Sequence, residues 1–338
     1  MKRGILPHIR DQFATIAPVA KADLTGKTVV VVGANTGLGF ETVKHFARMK
    51  PGKIVLACRN EAKGKAALDK LQEDTGYITG ELWLIDLTSF ASVVAFVDRY
   101  EREGGRLDIL VANAGVVDFK YKETIDGWEE TLQVNSLSTS LICMLLAPRM
   151  AETAKTYSTQ PRIVIVGSEA HYWTAIPDEV YDAPSSFKLI SSKDFSTPQR
   201  MMQRYHDSKL LSVFFTLSLA ELLKNSPIIV NTVNPGVCHS ELNRSFTGVL
   251  GALSSIMLWV MGRTAEQGAR SIVWAAVGAA ENPDKLRGRY LNLDRLEEPS
   301  DHVCDVGGRK RQGKLWKDLI EELSKVDKRV PGVVEQFS

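Results

Sequence analysis

Thr28-Val29-Val30-Val31-Val32-Gly33-Ala34-Asn35-Thr36-Gly37-Leu38-Gly39 is the stretch that decides the fold. The β-branched run from Thr28 to Val32 shows no polar alternation, so it reads as a strand buried on both faces. Residues 40–49 then read as a helix. Glycines between strand and helix let the backbone turn sharply and approach a pyrophosphate, whose charge suits a helix N-terminus. The spacing is G-x-x-x-G-x-G, not the G-x-G-x-x-G of the general dinucleotide fingerprint. A tight connection needs glycine in any case. The strand before and the helix after are what point to a dinucleotide site.

Outward from this turn, strand and helix patterns alternate along the chain. Strands are expected at 28–32, 53–57, 81–84, 109–112, 162–166, 228–233 and 289–291. Helices are expected at 40–49, 62–75, 90–103, 128–151, 203–224, 265–277 and, amphipathic, 314–326. This alternation predicts an α/β fold, a single Rossmann-type doubly wound parallel sheet of about seven strands with helices on both faces. Residues 172–202 and 238–263 break the alternation after strands whose ends face a ligand crevice, where long loops shape pockets. The domain reading is an N-terminal arm, 1–22, and one domain, 23–338, carrying a substrate lid at about 238–263 and a C-terminal helix.

Composition excludes several classes. The 42 basic and 40 acidic residues give a net charge of +2, which offers no reason to expect nucleic acid as a partner. Cys58, Cys143, Cys238 and Cys304 show neither C-x-x-C pairing nor zinc spacing, so no metal is expected and the thiols read as free in a reducing compartment. The first residues mix Arg3, His8, Arg10 and Asp11 among apolar ones and lack a secretory apolar core. A cytoplasmic protein without a transmembrane span is expected, and a homodimer is allowed.

Tyr205 and Lys209 stand four apart in Tyr205-His206-Asp207-Ser208-Lys209, one above the other on a helix face. An ammonium ~4 Å from a phenol favours the phenolate by ~4 kcal/mol at an effective dielectric of ~20. That would bring a tyrosine into the range of useful proton transfer.

Together these motifs resemble the short-chain dehydrogenase/reductase family. Gly33, Gly37 and Gly39 match its cofactor turn, with Asn35, Thr36 and Leu38 between them. Asn113-Ala114-Gly115 matches its N-A-G motif, and Asn234-Pro235-Gly236, followed by Val237, matches the turn beside the nicotinamide. Asn135, Ser168, Tyr205 and Lys209 match its catalytic tetrad, although Gly167 and Val32 depart from the commoner residues. Ala57-Cys58-Arg59-Asn60, Ser168-Glu169-Ala170-His171, Gly288-Arg289-Tyr290 and Leu315-Trp316 bring the chain nearest the retinol-dehydrogenase-like and WW-domain-oxidoreductase-like branch. The resemblance implies that Asp86, followed by Leu87, contacts the adenine; capping of the following helix is the other reading.

An acidic residue about twenty positions past the turn would hold a ribose 2′-hydroxyl. Cys58 stands near that point and Arg59 follows. A guanidinium can bind a 2′-phosphate through charge-assisted bonds, so NADP(H) is expected, with Lys63 a second cation. By the resemblance, Ser168 would bond a carbonyl oxygen and Tyr205 would donate its proton. Lys209 would lower the Tyr205 pKa and hold ribose hydroxyls, and Asn135 would position a relay water. His171 and His206 read as pocket or structural residues.

The expected function is an NADPH-dependent oxidoreductase acting on the carbonyl or alcohol of a lipophilic small molecule, such as a biosynthetic tailoring reductase. Two alternatives stay open: a non-catalytic NADP(H)-binding regulator, and a reductase that also promotes cyclisation or dehydration. The lipophilic expectation rests on the apolar stretch 249–261, which contains Trp259. It reads as a lid, with a packed helix and shallow membrane insertion as the other readings.

Overall fold

The structure, a computed structural model, describes residues 4–239 and 261–338. Most of the expected lid, including Trp259, therefore lies outside the described residues.

β1 (Thr28–Val32), β2 (Lys53–Cys58), β3 (Gly80–Leu84), β4 (Ile109–Ala112), β5 (Arg162–Val166), β6 (Ile229–Asn234) and β7 (Arg289–Asn292) fall where the residue pattern puts them. An eighth strand, β8 (Arg295–Glu297), pairs antiparallel with β7. The sheet order is β3-β2-β1-β4-β5-β6-β7-β8, parallel up to β7. After β3 the chain crosses to the far side of β1. The loops leaving β1 and β4 thus run to opposite faces, and a crevice opens between them.

The period of two along each strand divides the core in two. Val30, Val32, Val55, Leu110, Ile163 and Val230 pack on one face under α4 (Phe90–Arg99), α6 (Thr139–Tyr157) and α9 (Pro198–Leu222). Val29, Val31, Ile54, Val111, Val164 and Ile229 pack on the other under α2 (Gly37–Ala47), α3 (Glu61–Thr75) and α10 (Ala265–Val277). Burying each such Val, Leu or Ile is worth roughly 1.5–3 kcal/mol.

Several expected elements change shape. The helix expected at 128–151 is a short α5 (Glu130–Leu132), a wider turn with i→i+5 geometry at Gln133–Ser138, then α6. The turn carries Asn135; such bulges occur often at functional sites. The break at 172–202 is not a free loop. It holds α7 (Asp178–Asp182), α8 (Ser186–Ser191) and the start of α9. Its anchor is a buried ion pair, with Arg204 Nε 3.3 Å from Glu129 Oε2. The Glu129 carboxylate also accepts from the Thr131 and Leu132 amides, and the Arg204 guanidinium donates to the Ile190 carbonyl at 2.6 Å. Past β8 and α11 (Asp301–Cys304), two C-terminal helices, α12 (Gly308–Val326) and α13 (Arg329–Phe337), cover α6 and α9.

The expected N-terminal arm contains a helix. α1 (Ile5–Gln12) lies over the C-terminal ends of β6 and β7. Asp11 accepts from Asn292 Nδ2 at 2.7 Å, and Asn292 Oδ1 accepts from Asn234 Nδ2 at 3.0 Å. Among the described residues, no helix is long and apolar enough to cross a membrane.

Candidate dinucleotide and catalytic site

A cavity of about 780 Å³ occupies the crevice. Its floor is the glycine turn, whose glycines are required for two reasons. Gly33 and Gly37 adopt φ of 80° and 57°, which L side chains avoid. At Gly39, a Cβ would stand 2.1 Å from the Gly33 carbonyl oxygen. Asn113 ties this turn to the N-A-G segment, donating to the Gly33 carbonyl at 3.0 Å. Thr36 precedes α2 without a side-chain cap, so the helix begins with amides directed toward the cavity floor. Of the residues expected to bind cofactor, all line the cavity except Gly39, whose part is close packing.

At one end, beyond β2, the cavity is lined by Cys58, Arg59, Asn60 and Lys63. Asn60 caps α3 by accepting from the Lys63 amide at 2.9 Å, which sets both cations at the rim. Asp86 also lines this end, and its carboxylate accepts from the amide and hydroxyl of Thr88 at 2.9 and 2.8 Å. It does not cap the next helix; Ser89 does that.

The other end gathers Ser168, Tyr205 and Lys209. Ser168 follows β5 and accepts from the Ala170 amide at 3.1 Å, while its hydroxyl bonds the Tyr205 phenol. The Lys209 ammonium lies 5.5 Å from the Tyr205 ring centroid and donates to the Val166 carbonyl at 2.8 Å. Burial pushes the phenol up to about 12 and pulls the lysine down to about 8. The net shift at Tyr205 is thus upward because desolvation dominates it, while the hydrogen bond with Ser168 works the other way. The neighbouring Glu169 carboxylate also pushes Tyr205 up.

Asn135 stands behind this end and does not line the cavity. Its side chain accepts from the Val116 amide at 2.8 Å and donates to the Val116 carbonyl at 2.9 Å and to Ser208 Oγ at 3.0 Å. It therefore fixes the wall after Gly115 and touches α9 one residue before Lys209. His171 is buried, with Nδ1 2.7 Å from the Ser168 carbonyl oxygen, and lies between Tyr172 and Tyr290, tilted to the first ring and edge-on to the second. That is a structural part. His206 lines the cavity, and burial pulls its pKa below the ordinary value.

Residue patterns give no sign of the remaining wall. Phe119, Trp173 and Met202 supply apolar surface, and Glu169 and Cys238 also line the cavity. These positions come from four separate segments, so no local spacing marks them. Glu169 alone is visible in the sequence, within Ser168-Glu169-Ala170-His171. His8 of α1 reaches it, Nδ1 lying 2.6 Å from Glu169 Oε2. Cys238 is buried and its thiol is pushed up to about 12, so it is not a reactive nucleophile.

Comparison with known proteins agrees with this geometry. The profile described as short chain dehydrogenase matches residues 27–183. A short chain dehydrogenase/reductase of Cryptosporiopsis sp. (strain 8999) is 33% identical over 325 residues, covering 95% of this chain and 96% of that one. A short-chain dehydrogenase of Aspergillus ruber (strain CBS 135680) is 35% identical, covering 95% and 92%. Among solved structures, a short-chain dehydrogenase from Sphingobium yanoikuyae in complex with NADPH superposes with a TM-score of 0.55 at 21% identity, covering 87% of this chain and 95% of that one. A 3-ketoacyl-(acyl-carrier-protein) reductase from Brucella melitensis complexed with NADH gives 0.60 at 20% identity, covering 80% and 97%.

Proposed function

The chain belongs to the short-chain dehydrogenase family, and from that premise we propose that it is an NADP(H)-dependent oxidoreductase interconverting the carbonyl and alcohol of a lipophilic small molecule. One observation carries the reading. A single cleft joins a cationic rim, a glycine cradle without side chains, and an end where Ser168, Tyr205 and Lys209 converge.

The glycine cradle and the first amides of α2 would hold a pyrophosphate, and Arg59 with Lys63 a 2′-phosphate. Asn113, Pro235, Gly236 and Val237 would bound the nicotinamide half. Bound there, NADP(H) supplies or accepts the hydride. The chain's own residues handle the oxygen and the proton. Ser168 Oγ donates to the substrate oxygen, and Tyr205, neutral at pH 7 because its pKa lies near 12, donates its proton as negative charge develops. Lys209, mostly charged at pH 7, steadies the phenolate that remains and holds the ribose. Asn135 and Ser208 stand beside Lys209 as the polar route by which a proton returns.

Phe119, Trp173 and Met202 favour an apolar substrate body, such as a biosynthetic tailoring reductase would take. The Sphingobium complex with NADPH supports the cofactor, while the Brucella complex with NADH shows that the fold alone does not decide it. The test is product analysis. The purified chain is incubated with deuterium-labelled NADPH and a panel of lipophilic ketones and aldehydes. One deuterium in the alcohol product supports the reading, and an unlabelled or unreduced panel sinks it. An additional loss of water or a ring closure in the product would extend it.

A further inference from the structure

Residue 12 lies far from the catalytic motifs in sequence, yet its side chain is wired to the wall of the site. Gln12 Oε1 accepts from the Val237 amide at 3.0 Å, and Gln12 Nε2 donates to the Val237 carbonyl at 2.7 Å. The same nitrogen donates to the Met261 carbonyl at 2.6 Å. A carboxamide is one of the few side-chain groups that can satisfy both the donor and the acceptor of one residue's backbone. Methionine, of similar length, could satisfy neither.

The rest of the contact is built around that pairing. Arg263 is 4% exposed, and its guanidinium donates to the carbonyls of Asp11, Gln12 at 3.2 Å and Ala14 at 3.5 Å. The first two are the last carbonyls of α1, where a cation also meets the negative end of the helix dipole, and Ala14 lies just past the helix. The Arg263 amide in turn donates to the Val237 carbonyl at 2.9 Å. Gly236, with φ of 79°, passes so close that a Cβ would sit 2.9 Å from Arg263 and 3.1 Å from Gln12. Val237, fixed in this way, lines the cavity beside Pro235 and Gly236, at the end that holds Tyr205.

We propose that α1 is a working part of the site and that Gln12 is a positioning residue for the nicotinamide half of the cofactor, acting through Val237. The inference rests on the nicotinamide-dinucleotide reading of the cleft. Gln12 touches neither cofactor nor substrate. It sets the peptide planes against which the nicotinamide ring is held.

The test compares two ligands on the unsubstituted chain and on Gln12→Met and Gln12→Ala. NADP⁺ spans the whole cleft, whereas adenosine 2′,5′-bisphosphate occupies only the Arg59 end. Gln12→Met should weaken NADP⁺ by about tenfold, because Val237 must then be ordered when the cofactor binds, and leave the fragment unchanged. General damage to the fold would weaken both. Equal losses for the two ligands, or none, overturn the proposal. Should the unsubstituted chain fail to bind NADP⁺, the functional reading itself falls, which is a different result. Amide exchange at Val237 in the unsubstituted chain tests the same contact without any variant. Protection in the free enzyme and further slowing with NADP⁺ are expected, and open-chain exchange in either state overturns the proposal.

Discussion

Lys209→Met should end turnover and yet make the protein more stable. Lys209 is 6% exposed, and its ammonium donates to the Val166 carbonyl. Burial lowers its pKa from 10.5 to about 8. That depression amounts to a penalty of roughly 3 kcal/mol on the charged form at pH 7. Methionine removes the penalty and keeps most of the stem's packing, but leaves the Val166 carbonyl without this donor at a cost of about 1–2 kcal/mol. The net expectation at pH 7 is a gain of about 1–2 kcal/mol, or a few degrees in Tm. The pH dependence fixes the cause. Between about pH 8 and 10.5 the unfolded chain binds more protons at this residue than the folded one, so stability rises with pH there. Below pH 8 both states are protonated and the full penalty persists. From pH 7 to about 9.5 the wild type should therefore gain about 2 kcal/mol from this residue, and the variant should not. Urea unfolding of both proteins at the two pH values measures it. A variant less stable than wild type at pH 7, or a difference that stays constant to pH 9.5, would refute the reasoning.

Tyr205→Phe should lower turnover by about two to four orders of magnitude while NADPH still binds; near-normal turnover would remove the acid from Tyr205. Arg59→Ala should cost NADPH about 1.5–3 kcal/mol of binding and barely affect NADH, as titration of each will show; equal losses would mean that Arg59 does not read the 2′-phosphate. Arg204→Met should destabilise by about 3–5 kcal/mol because it strands the buried Glu129 carboxylate. Adding Glu129→Gln should restore much of that loss in denaturant melts, and a double variant no better than the single would show that the charge was not the cause.

The sheet is legible in the sequence because its strands are runs of β-branched residues between glycine turns, as in Thr28–Val32 and Arg162–Val166. β8 is not, being three residues, Arg295-Leu296-Glu297, with nothing periodic to read. The glycine turn is legible because glycine spacing reports a backbone requirement directly. The apolar wall is not, since Phe119, Trp173 and Met202 meet only after folding. The pairing of Tyr205 with Lys209 is visible at once, but its electrostatics are not. Spacing reveals that an ammonium is near, and only the fold reveals that Val166 holds it and that burial dominates. Likewise α1 reads as an arm because the groups it meets, from Glu169 to Asn292, lie far along the chain.

That distance has a consequence for how the protein is made. α1 leaves the ribosome well before Val237, Arg263 and Asn292, the residues that receive it. At about 5–20 residues per second, the 225 positions between Gln12 and Val237 take roughly ten to forty-five seconds to synthesise. Throughout that interval the glycine turn and the first strands can pair and bury, while α1 has at most Glu169 to meet through His8. This early helix is thus among the last to find its place, and completion of the cleft wall at Val237 is timed by the arrival of the C-terminal third.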